Sequence, residues 1–240
     1  MNAQQLSERL ARVASFVPEG ARVADIGSDH AYLPCYLVAN GKARAAVAGE
    51  VVKGPYESAW HQVREEGLED RITVRLADGL RAIEPEDQID TVTIAGMGGS
   101  LIRSILENGK EALTGVKTLV LQSNIHARTL REWAEQHNWR IADEAILEEN
   151  RKIYEVLVLQ PSQTPVSFTA EEKLLGPVLM KERSDVFRRK WTGEIMQWRR
   201  VLHSMKEAEA TPELQARRMQ LEENISMAEG VMRGEDTERI

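Results

Sequence analysis

The chain has 240 residues, 42% of them hydrophobic, and a formal net charge of −7. That length is enough for one α/β core and a smaller appendage, and no apolar run approaches the roughly 20 residues of a membrane helix. The lone cysteine, Cys35, excludes an internal disulfide framework and a cysteine-based metal cluster.

The opening Met1-Asn2-Ala3-Gln4-Gln5-Leu6-Ser7-Glu8 lacks the charged-then-apolar layout of a secretion signal, so a soluble cytoplasmic protein is expected. Neither a membrane nor a metal is an expected partner, and the expected state is a monomer.

Taken along the chain, helices are expected over Gln4–Phe16, Ala31–Ala39, Lys53–Glu66, Ser100–Ala112 and His126–His137. Strands are expected near Arg22–Ile26, Ala45–Gly49, Ile72–Leu76, Thr91–Ala95 and Thr118–Gln122. This alternation reads as a parallel sheet covered by helices on both faces. Trp139–Leu147 and Ile153–Gln160, joined by Glu148-Glu149-Asn150-Arg151, read instead as a hairpin, so one strand at that sheet edge should run antiparallel. Five βα units followed by a hairpin is the order of a methyltransferase sheet. A dinucleotide-binding dehydrogenase more often supplies a sixth parallel strand.

Pro161-Ser162-Gln163-Thr164-Pro165 is the most linker-like stretch and divides an expected domain over residues 1–160 from one over 166–240. In the second, Phe187, Trp191, Ile195, Trp198, Leu202 and Met205 recur at helical spacing, and Leu214, Leu221, Ile225, Ala228 and Met232 form a second such series. Thr211-Pro212 separates them as a cap and a favoured first helical residue, which predicts a coiled-coil-like helical hairpin. Trp191 and Trp198 fall on its apolar stripe. Lys181 to Lys206 holds eight basic residues against three acidic ones, a local balance of +5 in an acidic chain.

Asp25-Ile26-Gly27-Ser28-Asp29-His30-Ala31 closes the first apolar run, and Glu50 closes the next. A glycine after a strand lets a ligand approach the backbone, and an acid at the neighbouring strand tip can accept from both hydroxyls of a ribose. A pyrophosphate turn would need Gly-x-Gly-x-x-Gly, whereas Asp29 would repel a phosphate. S-adenosylmethionine has no phosphate and carries a cationic amino group and a sulfonium, which Asp25 and Asp29 suit. Asp78 and Gly79, at the third strand end, are placed to hold the cofactor adenine. Gly96 and Met97, in Ala95-Gly96-Met97-Gly98-Gly99-Ser100, are placed to bring backbone near the transferable methyl group. Expected cofactor residues are therefore Asp25, Gly27, Ser28, Glu50, Asp78, Gly79, Gly96 and Met97. Gln122 and Asn124, after the fifth strand, are amides that could orient a polar substrate.

Asp25 through Pro34, Ala77-Asp78-Gly79-Leu80, Ile94 through Gly99 and Lys152-Ile153-Tyr154-Glu155 together resemble the bacterial tRNA (adenine-22-N1)-methyltransferase family, TrmK, over roughly residues 1–160. The resemblance implies a class I methyltransferase fold, S-adenosylmethionine as donor and a tRNA adenine as acceptor. No Asn/Asp-Pro-Pro-aromatic clamp for an exocyclic amine follows the fourth strand, but a ring nitrogen needs none. The acceptor base must be flipped out, aligned, and stabilised as positive charge appears on it. Asp29 is the candidate for that charge, and His30 or Tyr32 for stacking on the adenine. Arg188, Arg189, Lys190, Arg199 and Arg200 are candidate phosphate contacts, unless they pair with Glu213, Glu222, Glu223 and Glu229 on the second helix. A methyltransferase for a small molecule or protein, and a non-catalytic RNA- or protein-interaction module, are the alternatives. An NAD-dependent oxidoreductase ranks last, for want of the phosphate-binding glycines.

Overall fold

The structure is a computed structural model that describes residues 5–205 and 211–234. It divides into two compact units, Met1–Ser167 and Phe168–Ile240.

The first unit runs α1 (Glu8–Phe16), β1 (Ala21–Ile26), α2 (Tyr32–Ala39), β2 (Ala43–Glu50), α3 (Lys53–Glu65), β3 (Ile72–Leu76), β4 (Thr91–Met97), α4 (Gly99–Asn108), β5 (Thr118–Ser123), α5 (Ala127–Gln136), β6 (Trp139–Glu149) and β7 (Lys152–Pro161). The strands form one sheet in the order β3-β2-β1-β4-β5-β7-β6. The first five pair in parallel and β7 is antiparallel to both neighbours. This is the expected Rossmann-like sheet. As expected, one strand of the hairpin at that edge, β7, runs antiparallel, and it lies between β5 and β6. Asn150 and Arg151 turn the hairpin with φ of 52° and 61°, the positive pair that a two-residue hairpin turn uses. Both strands therefore run further than expected, to Glu149 and from Lys152.

Continuous apolar strands are buried on both faces because helices cover both. One face packs Val13, Leu33, Leu37, Val63 and Val120 into a single cluster with α1, α2 and α3. Leu106 of α4, Leu119 and Leu121 of β5, and Leu130 and Trp133 of α5 are also fully buried. The helix expected over Ser100–Ala112 stops at Asn108, with Gly109 as its C-cap in a non-helical conformation; Gly109 also abuts Leu80, where a Cβ would lie 2.5 Å from that residue's Cβ. A 3-10 turn, Lys110–Leu113, follows. The helix expected from Gln4 begins at Glu8, capped by Ser7, and Gln4 lies outside the described residues.

Beneath α5, Arg131 is wholly buried between two carboxylates, 2.7 Å from Glu144 of β6 and 2.5 Å from Glu155 of β7. Charges taken out of water persist only when paired, so this group ties α5 to the terminal hairpin.

The second unit contains the two expected long helices, α8 (Asp185–Ser204) and α9 (Pro212–Arg233), preceded by short α6 (Ala170–Leu175) and α7 (Leu179–Glu182). Thr211 caps α9 by accepting the Leu214 N–H, with Pro212 in the first turn. Thr169 and Glu172 form a capping box on α6. Arg183, just before α8, donates to the Val231 carbonyl near the end of α9, so the chain returns as a hairpin must. Phe187, Trp191 and Trp198 form a continuous aromatic row along α8 with centroid spacings of 6.1 Å.

Candidate active site

Every sequence-derived cofactor residue lies at or just beyond the carboxyl end of a parallel strand, the edge where open α/β sheets take their ligands. At the end of β1 the chain turns at Gly27, whose φ is +70°. The N–H groups of Gly27 and Ser28 donate to the Gly49 carbonyl at 2.9 and 3.3 Å, which fastens this turn to β2. A Cβ on Gly27 would stand 2.1 Å from the terminal methyl of Met97, so only glycine lets Met97 reach across from β4.

Asp29, His30 and Ala31 follow with φ of 34°, 62° and 53°, three consecutive residues in the left-handed region. Such a conformation costs roughly 1–3 kcal/mol per non-glycine residue, and Asp and His tolerate it best. Two anchors hold it: the Glu50 carboxylate accepts the Asp29 N–H, and Ala31 is fully buried. The strained turn pushes its polar side chains outward. The side chains of Asp29 and His30 are 76% and 47% exposed, with Asp29 Oδ1 3.6 Å from His30 Nε2. The His30 ring stacks on Tyr32 at 5.3 Å and 9°. The structure thus brings together the three residues expected to meet the acceptor.

Asp25 is buried on β1 and accepts from Ser28 Oγ and Thr93 Oγ1, each at 2.6 Å. Burial pushes its carboxyl up to about 6, against the opposing pull of those two hydroxyls; Glu50 adds to the rise and Arg9 reduces it. Burial also raises Glu50, an effect offset in part by the Asp29 N–H. Two acids held this way at adjoining strand ends are short of positive charge, which is the chemistry a cationic ligand supplies. Asp78 is exposed and caps no helix, although it precedes a 3-10 turn, Gly79–Ala82. Gly79 has φ +56° and abuts Ile105.

Gly96, at φ +81°, makes a bulge in β4 opposite β5. Gln122 holds this bulge: its side-chain oxygen accepts the Gly96 N–H at 2.8 Å and its amide donates to Asn124 Oδ1 at 3.1 Å. Asn124 Nδ2 returns a bond to the Gly96 carbonyl at 2.7 Å. Gln122 is 0% exposed, so the substrate contact expected of it gives way to a positioning role beneath the loop. Asn124 remains exposed.

Sequence reasoning missed Arg9. From α1 its guanidinium donates to Gln122 at 2.5 Å and lies 5.6 Å from the centre of the Tyr154 ring. Nothing distinguishes it in sequence from another basic residue on an amphipathic helix, and its partner Gln122 is 113 positions away. The Tyr154-Glu155 pair sends its side chains to opposite faces, Tyr154 toward Arg9 and Glu155 toward Arg131.

In the second unit Arg188, Arg189, Arg199 and Arg200 are exposed, while Lys190 lies 4.7 Å over the Trp191 ring. Arg199 pairs with Glu229, the acidic-helix pairing weighed against an RNA role. Lys206, part of the basic run, lies outside the described residues.

The profile of TrmK, tRNA (adenine(22)-N(1))-methyltransferase, matches residues 23–230. The chain is 44% identical over 236 residues to the tRNA (adenine(22)-N(1))-methyltransferase of Bacillus subtilis strain 168, covering 97% of this chain and 99% of that protein. Among solved structures, an uncharacterised Listeria monocytogenes protein superposes with a TM-score of 0.91 at 51% identity, covering 95% and 100% of the two chains. A candidate tRNA (m1A22) methyltransferase of Streptococcus pneumoniae, solved in complex with S-adenosyl-L-methionine, gives 0.85 at 43% identity, covering 95% and 99%.

Proposed function

This chain belongs to the TrmK family of tRNA (adenine(22)-N(1))-methyltransferases, and we propose that it transfers a methyl group from S-adenosyl-L-methionine to N1 of an adenine in tRNA, adenine 22 by family membership. The observation that carries this reading is the pair of buried acids, Asp25 and Glu50, flanking the Gly27 turn beside the exposed Asp29 and His30 and the half-buried Tyr32.

Asp25, Gly27, Ser28, Glu50, Asp78 and Gly79 would hold the cofactor, with Gly96 and Met97 bordering its reactive end. The fit is electrostatic: a buried carboxyl raised to about 6 is relieved by a cation, and the turn offers no glycine-rich cradle for a diphosphate. When bound, the cofactor supplies an electrophilic methyl on sulfur, which the adenine N1 lone pair takes as the carbon–sulfur bond breaks.

What the chain contributes is placement. The Gln122–Asn124 clamp fixes the Gly96–Met97 backbone before substrate arrives, so little reorganisation is left to the reaction. Asp29 is exposed beside two stacked rings, where its carboxylate faces positive charge developing on a purine or takes the amine proton. His30 and Tyr32 offer the stacking surface that an unstacked base requires. Arg188, Arg189 and Arg200 give an exposed cationic stripe for RNA phosphates, and this is the role proposed for the unit beginning at Phe168.

No helix among the described residues is long and apolar enough to cross a membrane, and no cluster of metal-ligating residues occurs among them. Incubating the protein with methyl-labelled cofactor and unmodified tRNA tests the reading: label in the RNA supports it, and label elsewhere or nowhere rejects it.

A further inference from the structure

The strand order reverses at β1, with β2 and β3 on one side and β4 and β5 on the other. The reading above sets Asp25, Glu50 and Asp78, at the ends of β1, β2 and β3, against the cofactor and Gly96 and Met97 of β4 at its reactive end, so an acceptor that reaches that end meets the β4–β5 side. That side is formed by two segments, residues 96–101 from the end of β4 into the first turn of α4 and residues 122–126 from the end of β5 to the start of α5.

The two segments are locked into one body. The Asn124 N–H donates to the Met97 carbonyl at 2.8 Å, and the Gly99 N–H donates to the Ile125 carbonyl at 2.9 Å. A Cβ on Gly99 would stand 2.2 Å from the His126 carbonyl oxygen, so residues 99 and 126 meet backbone to backbone. His126 itself is held at φ +61°, with its carbonyl accepting from Thr129 Oγ1 at 2.7 Å.

On this rigid body Ile125 is 60% exposed and Leu101 54% exposed, and His126, which follows Ile125 in the chain, is exposed too. The Ile125 side chain rests against Gly98, 3.6 Å from where a Cβ would be. A flexible loop could fold an isoleucine inward; this one is held outward. The residues of both segments carry no charge of their own, and the Arg9 guanidinium beside Gly96 is engaged by Gln122. The flat, weakly polar face of a purine needs no counter-charge, and aliphatic and imidazole surfaces are what it packs on.

We propose that Ile125, His126 and Leu101 form the wall on which the target adenine rests after leaving the RNA stack. The wall stands on the β4–β5 side of the methyl group, and His30 and Tyr32 follow β1. This rests on the tRNA methyltransferase reading, and it assigns the acceptor side of that site to three residues outside the cofactor set.

The test compares Ile125→Asp, Ile125→Val and His126→Asn in the full-length protein, with tRNA transcript as substrate. Asn tolerates the left-handed backbone at position 126. Ile125→Asp and His126→Asn should lower kcat/KM for tRNA by about 10-fold or more, the scale of removing a single apolar group from a specificity pocket. Ile125→Val should stay near the native value, and S-adenosylmethionine affinity and thermal midpoint should be unchanged in all three. A kcat/KM for Ile125→Asp within twofold of native overturns the proposal, as does a parallel loss of cofactor affinity. If instead the native protein methylates no tRNA, the enzymatic reading falls and the wall falls with it.

Discussion

Glu50 accepts the backbone N–H of Asp29, so the acid at the tip of β2 fixes the first of three residues in the left-handed region beyond β1. One carboxylate thereby joins the proposed cofactor side of the site to the turn that presents Asp29, His30 and Tyr32. Glu50→Gln keeps an acceptor for that N–H but loses the charge. It should weaken S-adenosylmethionine binding by about 10- to 100-fold, the range of one charge-assisted hydrogen bond, as read by calorimetry.

Asp29→Asn separates acceptor chemistry from cofactor binding. Single-turnover methylation should slow by about 100-fold or more, the usual scale for a positioned proton-transfer or charge-stabilising group, while cofactor affinity stays near native. Full-rate turnover by the variant would remove Asp29 from the chemistry.

Asp25 makes stability depend on pH with a sign opposite to that of a salt-bridged acid. Its carboxyl is raised from 3.8 to about 6 in the folded chain, so the folded state keeps this proton to higher pH than the unfolded state. The stabilisation is fully present below the lower value and is lost as pH rises through the higher one. Asp25→Asn lacks the proton equilibrium. Urea unfolding of both proteins should show the variant gaining about 2 kcal/mol relative to native between about pH 4.5 and about pH 7.5. A flat difference would contradict the buried, hydroxyl-bonded carboxyl.

Arg131→Met leaves Glu144 and Glu155 buried without their shared cation. The expected loss is about 3–5 kcal/mol in unfolding free energy, and adding Glu144→Gln and Glu155→Gln should restore much of it. A single variant as stable as native would mean that the three groups are not closed off from water.

Replacing Arg188, Arg189 and Lys190 with alanine should reduce the slope of log tRNA affinity against log salt by roughly 0.7–0.9 for each phosphate no longer neutralised. An unchanged slope would take this stripe off the RNA-binding surface. Lys190, over the Trp191 ring, should contribute least.

What could be read from sequence was what repeats locally. Apolar runs placed β1 through β5 within a residue or two, and Thr211-Pro212 marked the start of α9 because capping is chemistry between near neighbours. Asp25, Gly27, Glu50 and Asp78 could be aligned because each ends or follows a strand. The misreadings came from partners far apart in the chain. Gln122 looked like a free amide at a strand end, and only pairing with Gly96 and Arg9 shows it buried and committed. The capping box at Thr169–Glu172 is a local signal, and it marks α6, a helix too short for apolar periodicity to reveal.

The central claim is a methyl group delivered to one nitrogen of one nucleotide. The most direct measurement is mass-spectrometric mapping of unmodified tRNA after incubation with this protein and methyl-labelled S-adenosylmethionine. The account predicts one labelled 1-methyladenosine, at position 22, that forms far more slowly with Asp29→Asn. Label on an exocyclic amine, on another base or on protein would contradict it, as would bound cofactor without any transfer to RNA.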